Sequence, residues 1–251
     1  MTSISVVIPC RNDAEMLAVC LDALAGQTRQ ADEVIVVDNG STDDNAAIAE
    51  AASAKVVPEP RMGIARATST GFDAAKGDIL ARLDADSIPP VDWLERVEGI
   101  LSTAGGLAAV TGPGDFYGSN RITIWLGRVV YIGGYFTAVG LLLGHSPLFG
   151  SNFALDTAIW NRVRGLVHTA SHQVHDDLDL SYQIRPDMTV IYDPTLRVGI
   201  SARPFDSWKG LGQRIGWTYI TLRFDFHQER PFRRLRERRR WARDHGHPLA
   251  S

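Results

Sequence analysis

The stretch ILARLDADSIPP (Ile79–Pro90) decides the fold. It opens as an apolar strand, places Asp84 and Asp86 straight after it, and closes on two prolines. A carboxylate at the end of a buried strand is costly unless something neutralises it. Two of them, separated by Ala85, share a face in an extended chain and can converge on one point in a turn. Hard oxygen ligands of this kind suit Mg²⁺ or Mn²⁺, which keep open positions for water and phosphate oxygens. Taken alone, the same residues also read as the cap of a helix after Pro90.

Outward from this stretch, the N-terminal half alternates short apolar strands with helical patterns. ISVVIP (4–9), EVIVVD (33–38), AKVV (54–57) and DILARLDAD (78–86) are the strands. Helices are expected from Asp13, from Ser41 or Thr42, and over GIARATSTGFDAAKG, with Gly77 at its end. Strands separated by helices imply a mostly parallel sheet covered on both faces, with ligand bound beyond the carboxyl ends of the strands. Those ends are Pro9–Arg11, Asp38–Asn39 and Leu83–Asp86. After a helix at Trp93–Leu101 and a strand near Leu107–Thr111, the pattern becomes mixed. FGSNFALDTAIWNRV reads as a strand running into a helix capped by Asp156, DDLDLSYQI as a short amphipathic helix, and MTVIYDP and LRVGIS as strands. From Ser207 onward the pattern is helical. The expected division is residues 1–112, the half that alternates strands and helices; 113–205, the mixed half with the apolar stretch 122–144; and 206–251, an Arg-rich helical extension.

The 251 residues carry a formal net charge of −3, so the chain as a whole is no polyanion binder, and no nucleic-acid partner is expected. Between Glu229 and Asp244, eight Arg stand against three acids, which leaves this tail at +5 and the remainder at −8. Phe232, Leu235 and Trp241 interleave with the Arg residues, a mixture that suits an anionic membrane surface. Cys10 and Cys20 read as buried thiols in a reducing compartment, and MTSISVVIPCRND lacks the features of a signal peptide, so a cytoplasmic location is expected. ITIWLGRVVYIGGYFTAVGLLLG (Ile122–Gly144) is long enough to span a bilayer, but Arg128 and its glycines favour a buried helix, a membrane-surface helix or a homodimer interface.

The first strand runs into CRNDAE, with no glycine-rich turn, which argues against a dinucleotide fold, a P-loop and a sugar nucleotidyltransferase. A nucleotide bound here needs its phosphate charge neutralised another way, and a metal at Asp84 and Asp86 is the candidate. Asp38 ends the second strand, where a carboxylate can accept hydrogen bonds from a ribose or base. In HDDLDLS (His175–Ser181), Asp176, Asp177 and Asp179 form an acid cluster. Such a cluster is either a general base facing a cleft or a helix N-terminus favoured by the macrodipole. His168, His172 and His175 have spacings compatible with a metal cluster but read better as a loop near the site. Trp208, Trp217, Tyr219 and Phe224 read as core.

The blocks VVIPCRND, VIVVDNGSTDD, GIARATSTGFDAAKGDILARLDADSIP, GSNFALDTAIW and DDLDLSYQI, in this order over about residues 3–200, resemble the family 2 glycosyltransferases of GT-A fold. The resemblance implies a Rossmann-like, mostly parallel α/β sheet with a smaller mixed region and C-terminal helices. It also implies an inverting transfer of one sugar from a nucleotide-diphosphate sugar to an acceptor hydroxyl, which could be lipid-linked or part of a glycan. By the same resemblance Pro9, Arg11, Asp38 and Arg66 would line the nucleoside pocket, with Asp84 near ribose and phosphate and Asp86 on the metal. Gly150, Ser151, Asn152 and His175 would face sugar or acceptor. Asp177, or its neighbour Asp176, would be the base. Two departures stand out: Ala67-Thr68-Ser69 replaces the Ala-Arg-Asn common in relatives, and Gly216 stands where processive synthases carry Arg. A rival reading is a non-catalytic nucleotide- or sugar-binding protein on the same fold.

Overall fold

The computed structural model describes residues 2–119, 124–125, 127, 132–203, 208–227 and 232–245. Seven strands form one sheet: β1 (Ile4–Cys10), β2 (Glu33–Asp38), β3 (Lys55–Pro58), β4 (Ile79–Arg82), β5 (Ala108–Thr111), β7 (Phe153–Asp156) and β8 (Thr189–Tyr192). Their spatial order is β3-β2-β1-β4-β7-β5-β8. β7 runs antiparallel to both its neighbours and every other pairing is parallel. β6 (Gly114–Tyr117) and β9 (Val198–Ser201) form a separate two-stranded sheet.

The alternation of side chains along β1 sorts the core into two layers. Ile4, Val6 and Ile8 pack on one face with α1 (Ala14–Ala25) and α4 (Trp93–Thr103). Val7 packs on the other with Ile35, Val37 and Phe72 of α3 (Ile64–Ala74), Trp160 of α7 (Thr157–Val163) and Leu180 of α8 (Asp176–Gln183). Every residue of β1 and of β4 is buried, as a sheet covered on both sides requires.

The chain winds outward from β1 through β2, α2 (Asn45–Ala51) and β3, then returns to place β4 on the opposite side of β1. The sheet therefore changes winding direction between β1 and β4, and a crevice opens there at the carboxyl ends. The expected division at residue 112 does not divide this sheet, because β7 is inserted between β4 and β5.

Several local expectations are corrected. β4 stops at Arg82, not at Asp86. Asp84 instead opens a turn, in which Ser87 N donates to Asp84 O at 3.0 Å and Asp84 N donates to Ser87 Oγ at 3.1 Å. Asp13 and Asp156 precede helices without capping them, since longer-range partners take their carboxylates: Arg203 for Asp13 and the Ala108 amide for Asp156. α2 begins after Asp44, not at Ser41 or Thr42. α8 is buried on nearly all sides, so it is not amphipathic.

The span reading of Ile122–Gly144 lies partly outside the described residues, Arg128 included. Its described part breaks into α5, a π-helical segment (Tyr135–Val139), and α6, a single turn (Gly140–Leu143), which ends at Gly144 in a left-handed conformation. Val139 and Leu143 pack against Leu178 and Tyr182 of α8. Among the described residues no helix is long and apolar enough to cross a membrane. Within the Arg-rich region, α10 (Arg233–His245) is folded back on the body. Arg238 donates to Ile184 O and Arg185 O just past the end of α8, and the Arg234 guanidinium lies 4.1 Å from the Tyr182 ring centroid. Of the aromatics read as core, Tyr219 and Phe224 on α9 (Trp208–Asp225) are exposed.

Candidate active site

The crevice at the switch point is a cleft of about 630 Å³. The carboxyl end of β1 supplies Pro9, Cys10 and Arg11; the turn after β4 supplies Asp84 and Asp86. Gly150 and Ser151, just before β7, and His175, Asp176 and Asp177 at the start of α8 complete the wall opposite. The cleft thus brings together nine of the twelve residues singled out in the sequence.

The other three lie elsewhere. Asp38 is turned back on its own loop, where its Oδ1 accepts the Ser41 amide at 3.0 Å, and Asn39 faces the cleft instead. Arg66 donates to Thr169 O at 2.7 Å, holding the loop before α8. Asn152 is fully buried: its Oδ1 accepts from Trp93 Nε1 at 2.9 Å and its Nδ2 donates to Leu196 O at 2.6 Å. The amide of Asn152 is spent on holding β7 to its neighbours, so its position as a sugar or acceptor contact is corrected.

A buried cation organises the two acid pairs. Arg82, the last residue of β4, is 1% exposed. Its Nη1 donates to Asp84 Oδ1 at 2.7 Å, and its Nη2 lies 3.0 Å from Asp176 Oδ2. Ser151 Oγ donates to the other Asp84 oxygen at 2.5 Å, and Thr68 Oγ1 donates to Asp176 Oδ2 at 2.6 Å. Thr68 lies within the Ala67-Thr68-Ser69 departure, so that change supplies a hydrogen bond to the acid pair.

Asp177 is differently placed. It accepts the Gly150 amide at 2.8 Å through Oδ2, and burial, then the charge of Asp176, push its carboxyl above the ordinary range. A β-carbon at position 150 would stand 2.9 Å from Arg82 Nη1 and 3.1 Å from Asp177 Oδ2. Only glycine lets backbone, guanidinium and carboxylate meet there.

Asp86 is pushed up to about 6 by burial and by the nearby charge of Asp84. Arg203 partly offsets this from 3.4 Å while it grips Asp13 with both terminal nitrogens, at 2.8 and 2.6 Å. The cleft mouth therefore carries more negative charge than its own side chains neutralise. Oxygen donors in such an excess fit a divalent cation, and Asp84 and Asp86 are the residues placed to hold one.

Sequence reading missed Arg82, Arg203, Thr68 and Trp217. Arg82 left a signal, a cation at the end of an otherwise apolar buried strand. Arg203 left none, since its partner Asp13 is 190 residues away. Trp217, read as core, lines the cleft with its ring 6.0 Å from that of His175. The three-histidine cluster does not form: His172 and His175 line the cleft, whereas His168 bonds Asp179.

Comparison with known proteins places this geometry. Residues 5–155 match the sequence profile of Glycosyl transferase family 2. Glycosyltransferase AglE of Haloferax volcanii is 36% identical over 126 residues, which is 47% of this chain and 38% of that protein. The matched region thus spans well under half the length of that relative. Among solved structures, the mannosyltransferase PcManGT of Pyrobaculum calidifontis, in complex with GDP-Man and Mn²⁺, aligns with a TM-score of 0.70 at 19% identity, covering 94% of this chain and 68% of that one. Glucosyl-3-phosphoglycerate synthase of Mycobacterium tuberculosis, with Mn²⁺, UDP and glucosyl-3-phosphoglycerate bound, aligns with a TM-score of 0.63 at 25% identity, covering 89% and 80%. The α/β architecture with its mostly parallel sheet is the GT-A fold.

Proposed function

The chain belongs to the family 2 glycosyltransferases, and from that premise we propose that it moves one sugar from a nucleotide-diphosphate donor to an acceptor hydroxyl, with inversion at the anomeric carbon. The observation that carries this reading is the meeting of Asp84 and Asp86 with Asp176 and Asp177 in one cleft at the sheet's switch point. The similar folds that bind GDP-Man or UDP with Mn²⁺ support it.

Mg²⁺ or Mn²⁺ held by Asp86, with Asp84 beside it, would neutralise the diphosphate as a leaving group. The remaining work falls to the chain. Pro9, Arg11 and Asn39 line the end of the cleft where the nucleoside would sit. Arg82 holds Asp84 and Asp176 in place and cancels part of their charge. Asp176 is committed to Arg82 and Thr68, which leaves Asp177 to take the acceptor proton. Its raised proton affinity brings a carboxylate closer to the range in which a general base is effective. Gly150 N and the helix it faces fix the orientation of that carboxylate. Ser151, His175 and Trp217 are the side chains placed to touch sugar or acceptor.

A thermal-shift panel of UDP, GDP, CDP and dTDP, with and without Mn²⁺, tests the reading. One nucleotide should stabilise the protein only with metal, and Asp86→Ala should lose that shift. If none of the four stabilises with Mn²⁺, the rival binding-protein reading on another ligand gains and the transferase reading falls.

Peripheral attachment to an anionic membrane surface belongs to the same proposal, with the apolar segment 122–144 and the Arg-rich region as its basis. Arg233, Arg236, Arg240 and Arg243 of α10 are exposed at three- and four-residue spacing, so they share a helix face. Sedimentation with anionic vesicles at low salt, absent with neutral vesicles, is the expected result.

A further inference from the structure

Outside the cleft, three segments bring a histidine and two aspartates to one point. His168 lies in the loop before α8, Asp179 on α8, and Asp225 at the end of α9. His168 Nδ1 stands 2.7 Å from Asp179 Oδ1 and 3.6 Å from Asp225 Oδ1, and one donor atom from each residue falls within 4.8 Å of the others. Asp179 follows Asp177 by two residues on a helix, so the two side chains point to opposite sides, and Asp179 does not line the cleft.

Asp179 is satisfied: it accepts the His168 amide at 2.6 Å and the ring nitrogen at 2.7 Å. Asp225 is not. It is 2% exposed, no nitrogen or hydroxyl donates to its oxygens, and burial, then the Asp179 carboxylate it faces, pushes its carboxyl up to about 9. A buried carboxylate with no cation or donor on it is costly, so in the absence of one the pair keeps a proton. A proton on His168 Nδ1 accounts for Asp179 and leaves Asp225 facing a second carboxylate. The positive charge of Arg234 on α10 acts on Asp225 in the opposite sense and offsets part of this.

Around a tetrahedral zinc with Zn–N and Zn–O of about 2.0–2.2 Å, ligand atoms lie about 3.4 Å apart. The spacings of 2.7 and 3.6 Å straddle that value. One imidazole nitrogen and two carboxylates are a donor set for a divalent transition metal. The His168 side chain is 41% exposed, which leaves a route in from solvent and an open fourth position.

We propose that His168, Asp179 and Asp225 form a second divalent-metal site, of zinc type, that staples α9 and the loop before α8 onto the helix carrying the catalytic acids. The metal would displace the proton between His168 and Asp179 and the one held where Asp225 faces Asp179, and bind all three groups.

Isothermal titration of chelator-treated protein with Zn²⁺ alone tests this, together with Co²⁺ absorption as a reporter of tetrahedral geometry. The variant D84A/D86A removes the two carboxylates assigned to the cleft metal, and, folded by thermal melt, it should still bind one zinc per chain that H168A or D225N abolishes. In that background H168A and D225N should each weaken zinc binding at least tenfold and abolish the Co²⁺ visible bands. Asp225→Asn is close in size, and His168 is partly exposed, so at least one of the two variants should fold normally by thermal melt. D84A/D86A taking up no zinc would overturn the proposal, as would unchanged affinity in the folded variants. A D225N protein more stable than wild type at pH 8, alongside a wild type that binds zinc only in its cleft, would mean that a proton holds the pair, and would also overturn it. Because the D84A/D86A background is silent on donor binding, failure here leaves the transferase reading to its own test.

Discussion

Asp84 and Asp176, one from each wall of the cleft, are bound to the same buried guanidinium: Arg82 reaches Asp84 at 2.7 Å and Asp176 at 3.0 Å. The acids of the turn after β4 and those of α8 are therefore one electrostatic unit. Losing the cation strands the buried Asp176 carboxylate and removes an ion pair from Asp84, whose side chain is 31% exposed.

Arg82→Met should destabilise the fold by about 3–5 kcal/mol, the usual cost of breaking a buried ion pair from one side. Urea denaturation measures it. Metal-dependent nucleotide binding should fall in the same variant, because Asp84 loses the contact that aims it.

Asp177→Asn should keep the metal-dependent nucleotide shift and lower kcat by about 10²–10⁴-fold, the range for removing a general base. In the wild type, activity should rise with pH as Asp177 loses its proton, along a limb displaced above the ordinary carboxylate range by burial and by Asp176. Asp176→Asn removes that negative charge, so whatever activity remains should show the limb moved to lower pH. A pH profile of kcat/KM reads both effects.

Asp86, at about 6 in the folded protein against 3.8 in a free side chain, binds its proton more tightly when folded. Its contribution to stability is then greatest below pH 4 and is lost as pH rises through 6. Mn²⁺ competes with that proton, so thermal stabilisation by Mn²⁺ should be larger at pH 7.5 than at pH 5. Asp86→Asn should remove the difference.

Gly71 packs α3 directly onto the sheet, and a β-carbon there would stand 2.3 Å from Val7 Cγ1 and 2.8 Å from Val37 Cγ2. Gly71→Ala should destabilise by about 1–3 kcal/mol through overpacking. Chemical denaturation measures this, and Gly99→Ala in α4, where a β-carbon would meet nothing within 4 Å, is the helix-propensity control and should stabilise by about 0.5–1 kcal/mol.

The parallel sheet and the position of the cleft were legible because β1, β2 and β4 are apolar runs with polar residues at their carboxyl ends. That pattern is local, and it survives folding because burial on both faces demands it. The acids of the turn after β4 and of α8 were legible for a related reason: charged groups among apolar neighbours need a purpose. Arg66 and Asn152 are polar side chains near a motif that do not line the cleft, and only the fold reveals the bonds that each makes elsewhere. The histidines were grouped by their spacing of three and four residues, but the loop is not a helix, so the spacing carried no geometry.

What the sequence determined by itself is the order of most strands and helices, the crevice at the mouth of the sheet, and the carboxylates gathered there. Periodicity and the cost of burying charge act over a few residues and can be read there. Tertiary structure alone decided the pairing of those acids through Arg82, the tie of Arg203 to Asp13 and Asp86, and the meeting of His168 with Asp225. Each of these joins side chains that only the folded chain brings within a few ångströms, where low dielectric and exclusion of water make a contact strong or its absence costly.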